Sequence, residues 1–438
     1  MADFYQTLIA AVAVGSLYAL VALGYTLVYG VLKFINFAHS DVFVLGAWTS
    51  FTGALVIATR MGIEPDRAPW WVGVVVVLLA IAVCGTTAFL VERFAYRPLR
   101  RAPRLNVLIT AIGVSLLLQN VGQIPGAPVA RGPERQVVKA DAELTPAERE
   151  RVVEVRDGKA TLRAPGDPLA TVPFGAIPRS MPRLLPDAVL NEALVASGAM
   201  SGGSRRGVVR LDREVTIRDG GQYRLEVERD GPERRRDSLN VASEAGTYAP
   251  GSELATQPRR SAAEVEGARY RLLQAPLVPI HLVDVLIVGS SLVLMLGLQF
   301  LIFRTKIGAG MRAVSFNFEI ASLMGVNVNF IISFTFVLGA SLAGAAAFLY
   351  ANKYPGLNQT AHGIWVLLGL KAFVAAVVGG IGNIRGAVLG GFLIAGIEFF
   401  GSRYVSTELK DVYVFGLLIL VLLVRPSGLL GSTVREKV

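Results

Sequence analysis

Apolar stretches long enough to span a bilayer recur along the chain near 6–30, 38–58, 71–91, 105–124, 281–303, 328–350 and 411–425. A glycine-interrupted apolar block at 364–402 is long enough for two short spans. A crossing helix needs about 20 apolar residues, because the hydrocarbon core is about 30 Å thick and each residue climbs only about 1.5 Å. The pattern predicts an all-α polytopic membrane protein of about eight to nine transmembrane helices, some of them broken or half-length. The first run carries no Lys or Arg before it and is too long for a signal-peptide core, so it reads as a first span.

Two segments break the apolar pattern. Arg304 to Asn327, RTKIGAGMRAVSFNFEIASLMGVN, is short, basic and amphipathic. Phe318, Ala321, Met324 and Gly325 fall at helical spacing, Glu319 stands near the start, and Gly325 sits where a helix would stop. The spacing predicts a water-facing helix over 314–325; it is either an ordinary loop with a short helix or a grip for a soluble partner. Residues 125–275 are the second break, with 24 Lys and Arg against 22 Asp and Glu. There GVVRLDREVTIRD and GQYRLEVERD alternate as strands about the turn Asp219-Gly220-Gly221, and ERERVVEVRDGKATLRAP suggests another pair about Asp157-Gly158. ASGAMSGGSRRG and the stretch 237–267 hold much Ser, Gly, Ala and charge, and read as flexible linkers. The chain thus divides into spans 1–124, a small, irregular β-containing insertion at 125–275, and further spans over 276–438 that include the 304–327 loop.

Charge sets the orientation. Arg93, Arg97, Arg100, Arg101 and Arg104 follow the third long run, which places that loop in the cytoplasm. Counting back puts the N-terminus outside and Lys33 inside. Counting forward puts Arg304, Lys306, Arg312, Arg385 and the basic tail inside, provided 364–402 crosses twice rather than re-entering. The insertion is then extracytoplasmic and the C-terminus cytoplasmic, with about nine crossings. The mean hydropathy of +0.52 fits a membrane protein, and the net charge of +10 lies mostly in cytoplasmic loops rather than marking nucleic-acid binding. One cysteine, Cys84, and three scattered histidines, His39, His281 and His362, support neither a disulfide nor a metal site.

Candidate chemistry is sparse. No GxxxxGK[ST] phosphate loop, GxSxG elbow or HExxH pair occurs, so the chain carries no motor of its own and no cofactor is expected. Where the first two spans meet, Asn36, His39, Ser40 and Asp41 gather; they either cap a helix starting there or line a pathway together with Tyr25. Lys371 lies within an apolar run, either paired structurally, with Glu398 or Asp41, or facing an aqueous pathway where it meets a substrate carboxylate. Gly382, Gly386 and Gly390 are spaced by four, as are Ala387, Gly391 and Ala395, and Gly339, Ala343 and Ala347. Such spacing allows close helix packing within one subunit or between two.

Four segments taken together resemble a known family: Tyr25–Trp48, GLKAFVAAVVGGIGNIRGAVLGG at 369–391, RPSGLLG at 425–431 and EIASLMGVN at 319–327. In this order they are similar to the permease subunits of branched-chain amino-acid ABC importers. The resemblance covers roughly 5–124 and 276–431. It implies a multi-pass helical permease of the bacterial cytoplasmic (inner) membrane. It also implies a second related permease subunit, two cytoplasmic ATP-binding subunits and an extracytoplasmic solute-binding protein as partners. The family's ATPase-docking loop falls on Phe318, Glu319, Ile320, Ala321, Leu323, Met324 and Gly325, in the form E-A-A-x-x-x-G with Ile320 replacing one alanine. The 125–275 insertion departs from the family, whose members carry a short connection there. A urea or short-amide permease of the same family, an ion-driven secondary transporter, or a sensor using 125–275 as its receptor are the competing readings.

Overall fold

The computed structural model describes all residues except 65–67, 101, 133–134, 141–151, 157–158, 165–167, 175–178, 186–187, 203–207, 219–221, 229–235, 251, 258–267, 358–363 and 432–438. The helices are α1 (Ala2–Leu32), α2 (His39–Met61), α3 (Trp70–Val91), α4 (Arg104–Gln123), α5 (Leu282–Arg304), α6 (Lys306–Phe316), α7 (Phe318–Leu323), α8 (Val328–Lys353), α9 (Ile364–Gly379), α10 (Ile384–Tyr404) and α11 (Lys410–Val424). A π-type turn, Glu92–Tyr96, and a 3₁₀ turn, Arg97–Leu99, extend α3. Seven helices among the described residues are long and apolar enough to cross a membrane: α1 to α5, α8 and α10. At 16 and 15 residues, α9 and α11 fall short of that length.

Two compact units account for the described chain, one comprising Met1–Gln6 with Ala188–Leu282 and the other everything else. The smaller unit is therefore shorter than the 125–275 segment expected from composition. In the larger unit α1, α2 and α8 are mostly buried, whereas α3, α4 and α5 keep much of their apolar surface exposed. A helix that is apolar all round has no amphipathic face to direct its packing, so small residues decide the contacts. A Cβ on Gly391 would stand 2.6 Å from the backbone nitrogen of Ala19 on α1, and one on Gly390 would strike the Ala375 carbonyl on α9. One on Gly386 would meet Gly379. All three contacts lie within the chain. Gly382 corrects the spacing argument: it stands in the turn before α10, in the left-handed region at φ +90°. Its Cβ would touch only the Tyr29 ring, at 3.8 Å. It shapes a turn and packs no helix.

In the smaller unit six strands close an antiparallel barrel, beginning with β7 (Ala193–Gly202) and β8 (Val208–Leu211). β10 (Gln222–Glu228), β11 (Arg236–Val241), β13 (Glu253–Gln257) and β14 (Arg269–Ala275) complete it. Beside the barrel, β9 (Val215–Ile217) pairs with β12 (Gly246–Tyr248). The larger unit holds the pairs β1 (Pro125–Arg131) with β5 (Pro168–Phe174) and β6 (Arg179–Ser180) with β15 (Gly356–Leu357), and the antiparallel set of β2 (Arg135–Ala140), β4 (Lys159–Ala164) and β3 (Val152–Arg156). In β10, Tyr223, Leu225 and Val227 point inward while their neighbours face out, the period-two pattern of a half-buried strand. Much of the sequence expected to be linker lies in strands: 196–202, 237–241, 246–248 and 253–257. The composition argument failed because a narrow barrel needs only every second position apolar, and Leu239, Leu254 and Leu272 supply it. The turns expected at Asp157-Gly158 and Asp219-Gly220-Gly221 lie outside the described residues.

Candidate transport pathway and coupling surface

The amphipathic stretch folds as two helices rather than one. Asn317 leaves the helical region at φ −157°, ψ 124°, closing α6 and opening α7. Its side-chain oxygen accepts from the backbone N–H groups of Glu319 (2.8 Å) and Ile320 (3.0 Å), satisfying donors that the first turn would otherwise leave bare. Asn followed two residues later by Glu was the cap signal in the sequence, hidden by a continuous apolar period. The far end closes as a Schellman motif: Val326 N–H donates to the Ala321 carbonyl and Gly325 N–H to that of Ser322, each at 3.0 Å. Gly325 adopts φ +82°, a conformation that favours glycine.

This double capping holds a one-and-a-half-turn helix whose apolar residues are divided. Ala321 is buried at 2% exposure, whereas Leu323 is 86%, Met324 78% and Ile320 53% exposed, beside Phe318 and Phe316. Phe318, Ile320, Leu323 and Met324 thus stand uncovered on the capped turn, with Phe316 exposed at the end of α6, a patch of the kind that marks an interaction surface. Asn327 then caps α8, accepting from Phe330 N–H at 3.0 Å. Next along α8, Ser333 donates to Glu92 at 2.5 Å, and Asn329 accepts from Arg100 at 2.7 Å. Glu92, fully buried, is ion-paired with Arg100. This tie between the start of α8 and the end of α3 has no local sign in the sequence, since its partners lie more than two hundred positions apart.

The residues expected to line a pathway come together in part. Asn36 does not cap α2: its side-chain oxygen accepts from the Tyr96 hydroxyl at 2.6 Å, and the N-cap position falls to Ala38, with no side-chain cap. Ser40 donates to the Phe37 carbonyl at 3.0 Å. The His39 and Tyr25 rings meet edge to face at 4.6 Å. Two glycines unnoticed in the sequence clear room for this start, because a Cβ on Gly24 would strike the His39 ring and one on Gly369 would strike Ser40. α2 begins inside the helix packing, not at its edge: the Val42 carbonyl accepts at 3.3 Å from Sγ of Cys84, which lies well within α3. Asp41, in the first turn of α2, accepts from Gln119 Nε2 at 2.8 Å.

Lys371 lies elsewhere. Its ammonium is paired with Glu398 on α10 at 2.5 Å and with Asp411 on α11 at 2.7 Å, and Tyr18 on α1 donates to Glu398 at 2.8 Å. Asp41 is not its partner. A charge that would be costly in an apolar interior is neutralised by two carboxylates. Lys33, Arg312 and Arg385 line one open cavity of about 600 Å³ together with Gly382 and Gly431. There the two glycine-rich motifs meet: Leu429 and Leu430 N–H donate to the Val378 and Gly379 carbonyls at 2.8 and 2.9 Å, and Asn383 donates to the Leu430 carbonyl at 2.7 Å.

Seven long apolar helices among the described residues define a multi-pass membrane protein. The family profile described as branched-chain amino acid transport system / permease component matches residues 7–139 and 251–422, and the chain belongs to that family. It is 31% identical to the high-affinity branched-chain amino acid transport system permease protein BraD of Pseudomonas aeruginosa, over 99% of this chain and 98% of the relative. With the LivH permease protein of the corresponding Escherichia coli system it shares 29% identity, over 99% and 98%. The autoinducer 2 import system permease protein LsrC of Yersinia pestis is 31% identical over 25% of this chain and 32% of its own length. No solved structure matches.

Proposed function

We propose that the chain is the membrane permease of an ATP-driven importer of branched-chain amino acids, moved by ATP-binding subunits that grip α7. The observation that carries this reading is the doubly capped turn, with Ile320, Leu323 and Met324 exposed around a buried Ala321. A rigid turn delivers a push to α8, and through Asn329 and Ser333 to the end of α3, where a loose loop would dissipate it. The partners are a second related permease, two ATP-binding subunits and an extracytoplasmic solute-binding protein, in a bacterial cytoplasmic membrane.

Nine crossings fit the chain, with α9 and α11 as short spans. Support comes from the contact of 429–430 with 378–379, which puts the end of α11 beside the α9–α10 turn. The cavity shared by Lys33, Arg312 and Arg385 supports a common cytoplasmic face, with the N-terminus outside and the C-terminus inside. Tyr25, Asn36, His39 and Asp41 line the pathway, and Lys371 holds the bundle together through its two carboxylates. Glu319→Lys or Gly325→Pro is expected to lose co-purification of the ATP-binding subunits while the permease stays in the membrane; a retained complex with coupled uptake refutes the reading.

A further inference from the structure

Between α2, α4 and β5 lies a cavity of about 220 Å³, open at one side. Its lining is apolar, from Val44 and Leu45 on α2, Leu118 and Val121 on α4, and Phe174 on β5, with Trp48 stacked behind Phe174 at 5.4 Å. Asp41 and Gln119 are the polar exceptions. Asp41 is 4% exposed; Gln119 donates to its Oδ1, Ser115 stands beside the carboxylate, and no Lys or Arg pairs with it among the described residues. A buried carboxylate without a cationic partner is costly and calls for a cation. The structural ion pairs of this bundle show the contrast: Glu92, Asp284 and Glu398 each have a Lys or Arg.

We propose that Asp41 receives the ammonium group of an aliphatic α-amino acid whose branched side chain fills the apolar cavity. The size fits: pockets for drug-sized ligands run to roughly 300–1,000 Å³, and this one is smaller. The chemistry fits as well, since a carboxylate without a cationic partner beside an apolar wall recognises a cationic head on a hydrocarbon body and disfavours an anion. Gln119 holds Oδ1 of the Asp41 carboxylate at 2.8 Å, and the open side of the cavity leaves room for the substrate carboxylate. The site deepens the pathway reading and rests on it.

The test is a labelling-protection measurement on the complete transporter in nanodiscs, in a Cys84→Ser background with Leu118→Cys as the reporter in the cavity wall. Maleimide labelling is timed alone and with L-leucine, 3-methylbutylamine (leucine without its carboxylate) or 4-methylpentanoate (leucine without its amine). Leucine and 3-methylbutylamine are expected to slow labelling several-fold and 4-methylpentanoate to leave it unchanged. Asp41→Asn, which keeps the shape and the Gln119 contact, is expected to abolish the protection. Equal protection by 4-methylpentanoate, protection that survives Asp41→Asn, or no protection at all overturns the inference. Should Asp41→Asn fail to assemble, the two analogues on the parent protein decide it alone. ATP-driven leucine uptake by the same preparation separates the two levels: uptake without protection refutes this site and leaves the permease reading standing, while absence of both refutes that reading too.

Discussion

The Lys371 cluster gives the sharpest energetic prediction, because its charges and exposures differ enough to separate the single variants. Lys371 is 4% and Glu398 8% exposed, whereas the Asp411 side chain is 38% exposed. Lys371→Met leaves Glu398 buried with only the neutral Tyr18 hydroxyl, at 2.8 Å. Stranding a buried charge in this way costs roughly 3–5 kcal/mol, or about 10²–10⁴-fold in the unfolding equilibrium at ~1.4 kcal/mol per decade. Asp411 is exposed enough to turn to water, so it adds little to that cost. Glu398→Gln leaves Lys371 paired with Asp411 and costs about 1–3 kcal/mol. The double variant Lys371→Met/Glu398→Gln buries no unpaired charge and should lie within about 2 kcal/mol of the parent. The assay is a double-mutant cycle on SDS-induced unfolding of the purified protein in mixed micelles, read alongside uptake. A strongly non-additive cycle with uptake restored in the double variant is expected. Additivity within about 0.5 kcal/mol, or a double variant that is stable but inactive, refutes the structural role of Lys371 and returns it to the pathway.

Two other outcomes follow from the same contacts. Gly391→Val forces a branched side chain against the α1 backbone at Ala19, and should abolish assembly of monodisperse protein by gel filtration; Gly382→Asn, in a turn with open space, should not. In the barrel, a backbone N–H from Ala199 and the Tyr270 hydroxyl hold the Asp212 carboxyl below its usual range. A depressed value means that stabilisation is present above the ordinary carboxylate range and is lost as pH falls through the lowered value. Protection of strand 193–202 against hydrogen exchange, corrected for the intrinsic slowing of amide exchange at low pH, should fall on acidification, and Tyr270→Phe should weaken that dependence.

The features legible in the sequence were local or periodic. The long spans announced themselves by length, and Gly325 by its place after an amphipathic turn, because a glycine at positive φ is a local requirement. Glu319 and Ala321 stood out by resemblance, yet only three dimensions divide them: Ala321 is buried while Leu323 and Met324 stand free. What stayed hidden was long-range. Nothing near Lys371 points to Asp411, nothing near Asn36 to Tyr96, and nothing near Asp41 to Gln119, since each partner sits on a helix distant in sequence. Gly382 misled because spacing by four is the same in a helix and across a turn. The barrel was missed in part because its strands alternate small and apolar residues too sparsely for a composition argument.

Force entering through α7 from ATP-binding partners is tested most directly by ATP-dependent uptake of labelled leucine into proteoliposomes. The complete transporter should accumulate leucine only with ATP and lose that uptake, without losing the permease from the membrane, when Leu323→Asp and Met324→Asp are combined. Leucine accumulation by this chain alone, driven by an ion gradient without ATP, would contradict it.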